Sequence, residues 1–463
     1  MNTMRIAKPL FLSAVVALGL APLARAQTYV RIVAAQAFRQ PVNAAISHIL
    51  KPGFTVGYQG TDVTVALQAV YTGTTSQGNI PVIIKTSYGT STNAIRSLVS
   101  NLTTNAYLVD TASGPNQATF ETGATSDVAL SGEFQATTRY PSPALADYVV
   151  GVGPYLWVRS AGAPGSVNAQ TLTVSTTNNS ANATTTSTAG LVVNEMISGN
   201  ANIPTGAYIA SISNDGVSLT LSTVASGTGA ASTSFNYLGL SNINDALARN
   251  ILTNGQILLS QFTGSAGDAP ITVTVAGRDE GASSREVLFA ECGFGTFSDP
   301  FQYQISVSGN AVSGSIPYPG PVTVDGFTYT LSGHSGYTTF KSLATALNTP
   351  NNNPGSYGWF VGYLDPPDAA LVNNGNNIMT WNGVTYSPAA VQQGQYTYWS
   401  YFHWLYRTDF NTTSPTAKQV ADLIGKQVHD NDASAGGAGI LLSTMQVSRA
   451  VDGGDVTVGK IYP

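Results

Sequence analysis

The segment with the most chemistry in it is Ile271-Thr-Val-Thr-Val-Ala-Gly-Arg-Asp-Glu-Gly-Ala-Ser-Ser-Arg-Glu-Val-Leu-Phe-Ala-Glu291. A β-branched run reaches Gly277-Arg278, passes through the small residues Gly281, Ala282, Ser283 and Ser284, and enters a helix-like stretch. A small-residue turn that feeds a helix presents unpaired backbone N–H groups and the positive end of the helix dipole. Ser283 and Ser284 add hydroxyl donors, and Arg278 adds a planar, permanently charged fork suited to an oxyanion. Together these are the parts of an anion site. Each has a plainer reading as well: Arg278 as a surface arginine, and Ser284 as an ordinary helix cap.

The same order of residues recurs twice earlier. Strand-like Tyr29–Val33 is followed by Ala34-Ala-Gln-Ala-Phe-Arg-Gln-Pro41, and then Val42, Ala45, Ile46 and Ile49 fall on one helical face. Ser87-Tyr-Gly-Thr-Ser-Thr-Asn93 runs into Ala94-Ile-Arg-Ser-Leu-Val99, where Ser91 is a second donor or cap. Near Thr125-Ser126-Asp127 an acid follows a small polar pair, with helix capping as its alternative role.

Further helical stripes are Ile243, Leu247 and Ile251 with Ser241 as N-cap; Phe340, Leu343, Ala344 and Leu347; and Val420, Leu423, Ile424 and Val428 behind Ser414-Pro415. Between them lie the strand-like runs Val82–Ile84, Tyr148–Val152, Tyr155–Val158, Ile271–Val275 and Trp359–Leu364. Helices alternating with strands predict α/β layers. From Ser166 to Asn236 the pattern breaks, and the only charged residues are Glu195 and Asp215. Its turn-rich text and the alternation of Val217, Leu219 and Leu221 predict a small β module, with a long flexible loop as the alternative.

Composition narrows the function classes. Only 9 % of the 463 residues are charged, against roughly 25 % in an ordinary soluble domain. Nineteen Lys and Arg leave little for a nucleic-acid-binding patch, and the single Cys292 excludes an internal disulfide framework. Residues 1–26 read as a secretory signal: Arg5 and Lys8, an apolar run, then Ala24-Arg25-Ala26 before Gln27. Cleavage after Ala26 takes the formal charge from −5 to −8, and with no lipid-anchor cysteine the mature chain is expected to be periplasmic or secreted. His48, His334, His403 and His429 lack metal-ligand spacing, and no metal or other cofactor is expected. Gly333-His-Ser-Gly336 lacks the second glycine of a nucleophile elbow, because Tyr337 stands there. An enzyme is not expected. Tyr396, Tyr398, Trp399, Tyr401, Phe402, Trp404 and Tyr406 are read as core rather than as a sugar platform.

Taken in order, the motifs resemble the periplasmic phosphate-binding proteins of ABC importers, in the type II periplasmic-binding superfamily. Arg278-Asp-Glu-Gly-Ala-Ser-Ser284 is similar to that family's Arg-x-Asp-Gly-Ser-Gly-Thr, although Ala282 and Ser283 stand where it has Ser-Gly. Ala34–Pro41, Gly89-Thr90-Ser91 and Ser126-Asp127 resemble its other anion-contacting turns. Gly333–Tyr337 and Tyr357-Gly-Trp-Phe-Val-Gly-Tyr363 resemble two later ones. The resemblance implies a two-lobe α/β fold, with lobe I at 27–150 completed by about 386–463, and lobe II at 151–385. A β-rich insertion at 164–237 lies within lobe II. It implies a monomer that binds phosphate or a similar oxyanion and hands it to an ABC permease. It further implies Ala37 and Phe38 amides and the Ser91 hydroxyl on one side of the ligand, and Arg278, Ser283 and Ser284 on the other. Asp127 would accept the ligand's proton. A cell-surface or adhesive protein on the same scaffold is the alternative.

Overall fold

The structure, a computed structural model, describes residues 27–459; the signal-like segment lies outside them. Strand Thr28–Ala35 alternates its side chains between two cores, Ile32 and Ala34 on one face and Val33 on the other. This alternation follows from the two-residue period of a strand and makes it the centre of a covered sheet. The sheet has seven strands in the order Thr55–Tyr58, Gln68–Thr74, Pro81–Gly89, Thr28–Ala35, Val128–Ser131, Trp399–Tyr406 and Ala146–Pro154. Pro81–Gly89 and Val128–Ser131 run parallel to the central strand, while Trp399–Tyr406 returns antiparallel. Helices Arg39–Ile49 and Pro415–Gln427 cover one face through Val42, Ile46, Val420 and Ile424. Helix Ser91–Val99 covers the other through Ile95 and Leu98.

The second lobe has a four-stranded sheet, Gln256–Leu258, Thr272–Val275, Trp359–Leu364 and Leu156–Arg159. Its two middle strands are parallel, and helices Asp245–Asn254, Ser283–Glu291 and Phe340–Leu347 share its core. The stripe beginning at Ile243 starts two residues late as a helix, at Asp245. Asn244, not Ser241, is its cap, accepting the Leu247 amide at 2.9 Å, and Ile243 sits in a short strand instead. The seven aromatic residues from Tyr396 to Tyr406 are all buried.

Chain crossings between lobes fall later than the sequence suggests. Ala146–Pro154 belongs wholly to the first sheet, and the chain changes lobe at Tyr155. It returns at Trp399 rather than near 386, because Ala390, Val391, Tyr396 and Tyr398 pack in the second core. Beyond about 440 the chain again touches the second core, through Ile440, Leu442, Met445 and Val447. The two crossings are joined: the Tyr155 amide donates to the Tyr398 carbonyl at 3.0 Å, and the Tyr396 hydroxyl to the Tyr155 carbonyl at 2.7 Å.

The charge-poor stretch is an ordered module, not a loop. Six antiparallel strands, between Val167–Thr176 and Gly229–Tyr237, close around Val174, Ile197, Ile209, Leu219, Leu221 and Phe235. Of its two acids, exposed Asp215 holds a turn by accepting the Val217 and Ser218 amides at 2.9 and 2.8 Å. Glu195 is buried and accepts the Val192 amide at 3.0 Å. The module leaves and re-enters the lobe at one point, where the Leu240 amide donates to the Pro164 carbonyl at 2.7 Å. A Cβ on Gly239 would collide with the Gly165 carbonyl, so the two chain ends lie side by side. Excision of residues 166–238 with Gly165 joined to Gly239 is therefore expected to leave one cooperative thermal transition for the two lobes. Loss of that transition in calorimetry would mean that the module is part of their core.

Candidate functional site

Parallel strands bring their carboxyl ends together, and the helices that follow them start together. Ala35 pairs with Gly89 at the ends of two neighbouring strands. From there Gln36–Phe38 turns into the Arg39 helix, and Thr90 leads into the Ser91 helix. The second lobe places the start of the Ser283 helix and the start of the Phe340 helix opposite them. All four starts face one cavity of about 40 Å³ between the lobes, room for a few waters or one small polyatomic ion. The first amides of each helix have no partner within it, so the wall carries donors and four positive dipole ends.

Side chains complete the wall. Arg278 is 6 % exposed and is clamped from behind: its Nε donates to the Tyr337 carbonyl at 2.8 Å, and its Nη2 to the Thr338 carbonyl at 3.1 Å. Its guanidinium carbon lies 4.1 Å from the centre of the Phe340 ring. Nη1 is buried with no partner among the described residues, on the side chain that lines the cavity. Ser283 shares a 2.8 Å hydrogen bond with the Tyr155 hydroxyl, and Ser91 Oγ accepts the Gly132 amide at 3.2 Å. Arg39, Lys341, Thr90, Asp365 and Asp368 also line the cavity. The two acids are neighbours, since Asp365 caps the short Pro366–Ala369 helix by accepting the Asp368 amide at 3.0 Å. Burial and then repulsion from Asp368 hold the Asp365 carboxyl well above the usual carboxylate range, and burial raises Asp368 as well.

The lobes meet around this cavity. The Thr92 amide donates to the Gly281 carbonyl at 3.3 Å, and the Thr90 hydroxyl to Asp325 Oδ2 at 2.6 Å. Arg139 pairs with Glu280 across the same seam. Gly281 is a glycine by necessity there, because a Cβ would run into Asp325 and Thr90.

Of the seven residues assigned from sequence, Ala37, Ser91, Arg278 and Ser283 line the cavity. Phe38 and Ser284 do not. The Phe38 ring is buried edge-on against Phe402, centroids 4.5 Å apart, and anchors the turn from beneath. Ser284 is fully buried, and its carbonyl accepts the Tyr398 hydroxyl at 2.6 Å. Asp127 lies elsewhere altogether. It precedes strand Val128–Ser131 instead of following it and accepts the Arg31 amide at 2.8 Å. That is four residues back from Ala35 along the neighbouring strand, about 13 Å at the usual rise. Asp365 and Asp368 were not assigned, because the matching text ended at Tyr363. The signal that could have found them is the Asp-Pro-Pro-Asp start that follows that strand. No group of His, Cys, Asp or Glu among the described residues is arranged to hold a metal ion.

No known family model matches the sequence, and no curated protein does. In fold the chain is similar over most of its length to solved structures of phosphate-binding proteins. A Clostridium perfringens structure with bound phosphate, assigned as a phosphate ABC transporter substrate-binding protein, is 10 % identical with a TM-score of 0.41, covering 89 % of this chain and 99 % of the other. An ABC-type phosphate transport receptor from Vibrio cholerae is 10 % identical, TM-score 0.35, covering 86 % and 98 %. A phosphate-binding protein from Stenotrophomonas maltophilia is 12 % identical, TM-score 0.35, covering 90 % and 98 %.

The clamp on Arg278 makes a prediction independent of any ligand. Arg278→Lys keeps the charge but cannot reach both the Tyr337 and Thr338 carbonyls from one ammonium in the same geometry. Losing hydrogen bonds from a charged donor costs roughly 1.5–3 kcal/mol, to be read as a lower urea midpoint at unchanged slope. An unchanged midpoint would show that the clamp contributes nothing to folding.

Proposed function

We propose that the chain captures a small tetrahedral oxyanion, phosphate above all, between its two lobes. The observation that carries this reading is the convergence of four helix starts and one unpartnered Arg278 Nη1 on a single cavity between the lobes. Three cationic side chains, Arg39, Arg278 and Lys341, stand in the same wall. Excluding water from such a wall strengthens each charge-assisted hydrogen bond made to an anion.

Asp365 and Asp368 supply the discrimination that sequence reading gave to Asp127. A carboxylate beside an anion is unfavourable unless one of the two carries a proton to share. Hydrogen phosphate brings one and sulfate at neutral pH does not; Asp365, with its raised pKa, can hold a proton of its own, so it is Asp368, when ionised, that disfavours sulfate by repulsion. The reaction has no covalent step: binding, closure about the Tyr155 and Tyr398 crossings, and release complete it. Delivery to an ABC-type permease from a periplasmic or secreted location is part of the same proposal. It fits a chain in which no helix among the described residues is long and apolar enough to cross a membrane. A second reading, attachment to a surface, draws on the separately folded β module and its two charged residues.

Phosphate titrated into phosphate-stripped protein is expected to give saturable heat and a raised melting temperature. Arg278→Ala should weaken it at least ten-fold, which matches the loss of one charged hydrogen bond, about 1.5–3 kcal/mol. Asp368→Asn should raise sulfate affinity relative to phosphate by about ten-fold, the size of about 1.4 kcal/mol. Absence of heat and of any thermal shift with phosphate, arsenate and sulfate alike would reject capture and leave the attachment reading.

A further inference from the structure

We propose that closing the two lobes takes up protons, because closure seals Glu133 of the first lobe and Glu286 of the second into one seam where, among the described residues, neither carboxylate accepts a hydrogen bond from a cation. The inference rests on the two-lobe closing motion, not on the identity of the ligand. Glu133 follows the loop at Gly132, and a Cβ on Gly132 would press on Ser283 of the opposite lobe. Glu286 lies one helical turn beyond Ser283 and so points to the same side. Both side chains are buried, at 0 % and 2 % exposed.

Their hydrogen bonding is incomplete. Glu133 Oε1 accepts the Thr92 hydroxyl at 2.8 Å, but Oε2 has no partner among the described residues, and neither oxygen of Glu286 has one. Asp452, from the carboxyl-terminal segment packed on the same helix, adds a third buried acid. Its Oδ2 accepts the Phe134 amide and the Thr137 hydroxyl, and its Oδ1 is unpaired. Asp325 and Glu280 face the cluster from the second lobe and are acids too.

No cation among the described residues donates a hydrogen bond to Glu133, Glu286 or Asp452, although Arg285 acts on Glu286, and His403 and Arg449 on Asp452, through charge. Arg285 Nε makes only a long ion pair with Glu286 Oε1, at 3.8 Å, and its Nη atoms donate to the His334 carbonyl and the Tyr329 hydroxyl at 3.0 and 3.1 Å. Arg139 pairs with Glu280, Arg449 with Glu291 at 2.9 Å, and His403 with Asp147 at 2.9 Å. Arg96 faces Asp325 rather than the two glutamates. Ionised carboxylates buried without a partner are far less favourable than neutral ones. Burial first, and then the mutual charge of Glu133 and Glu286, push Glu133 well above the usual carboxylate range. Burial raises Glu286 as far and raises Asp452 in the same direction.

The sign follows from linkage. The closed form holds protons that an open, wetted form releases near the ordinary glutamate pKa, about 4.3. Closure is therefore favoured as pH falls and opposed as pH rises through the raised values. Proton uptake would tie ligand retention to an acidic medium and release to a more alkaline one.

Two measurements test this. Small-angle scattering of the phosphate-stripped protein between pH 5 and 9 is expected to show expansion as pH rises. In Glu133→Gln/Glu286→Gln the compact form should persist to higher pH by at least one unit. A wild-type radius of gyration flat across the range, or a double variant that follows the wild-type curve, would overturn the proposal. Glu286→Gln alone, checked for folding by circular dichroism, replaces the double variant should the latter not fold. Calorimetry of phosphate binding in buffers of different ionisation enthalpy gives the second reading. Wild type should take up about one to two protons more than the variant on binding, the number of carboxyls removed. Phosphate heat with equal uptake in both proteins sinks proton-linked closure and leaves capture standing. Absence of phosphate heat together with a pH-dependent radius does the reverse.

Discussion

The unfilled backbone amides at the helix starts are the constraint around which the molecule is arranged. A helix leaves its first amides without internal acceptors, and burying them costs free energy unless something else accepts. Three of the four helices at the cavity follow strands of parallel pairs, which deliver the chain to one edge of each sheet, while the Phe340 helix follows the hairpin strand Phe327–Tyr329. The residues at those turns are small: Ala35, Ala37, Gly89, Ala282 and Ser283. Larger side chains would fold over the amides and satisfy them sterically, if poorly, from within. Small ones leave space there: the Thr90 and Thr339 hydroxyls and the Gly281 carbonyl take the Asn93, Ser342 and Thr92 amides, and the helix starts themselves line the cavity in which the proposed anion would sit.

With so few charges in the chain, the fate of each one matters. Arg278 is buried and yet stabilised, since two carbonyls and an aromatic face surround three sides of its guanidinium and leave the fourth toward the cavity. Glu133 and Glu286 are buried without such company. The same low dielectric that strengthens the Arg278 contacts penalises the glutamates, so one interface attracts an anion at its centre and repels ionised carboxylates at its rim. The acid pair Asp365 and Asp368 sits between these cases, inside the cavity but capping a helix of its own.

Much of the site was legible because its information is local. A strand, a small-residue turn and a helix stripe are consecutive in sequence, so Ala37, Ser91, Arg278 and Ser283 could be placed before any tertiary contact was known. Asp127 failed for a reason of register: Ser126-Asp127 precedes its strand, and a residue on the wrong end of a strand is on the wrong end of the sheet. Ser284 failed because neighbouring positions at a helix start point in different directions, and a hydroxyl looks the same in sequence whether it faces a ligand or the core. Lys341 reaches the cavity only by the packing of lobe II, which no local pattern encodes, whereas Asp365 and Asp368 carried a local signal in the Asp-Pro-Pro-Asp helix start after their strand. The lobe boundary slipped likewise, because Tyr396, Tyr398 and Trp399 all pack in one core, and only the pairing of Trp399 with Pro154 assigns the last of them to the first sheet.

Tyr155 explains why the site and the motion are not separable. It is the residue at which the chain first changes lobe, its amide is bonded to the returning crossing, and its ring packs on Tyr398 with centroids 5.4 Å apart. Its hydroxyl, meanwhile, reaches Ser283 in the cavity wall. A rotation about the paired crossings therefore moves the hydroxyl relative to the very helix start that faces the ligand. The β module leaves the chain beyond the Leu156–Arg159 strand, between the two crossings, and re-enters within hydrogen-bond distance of its exit. Its attachment adds no connection between the lobes, so the proposed closure about Tyr155 and Tyr398 does not have to move it.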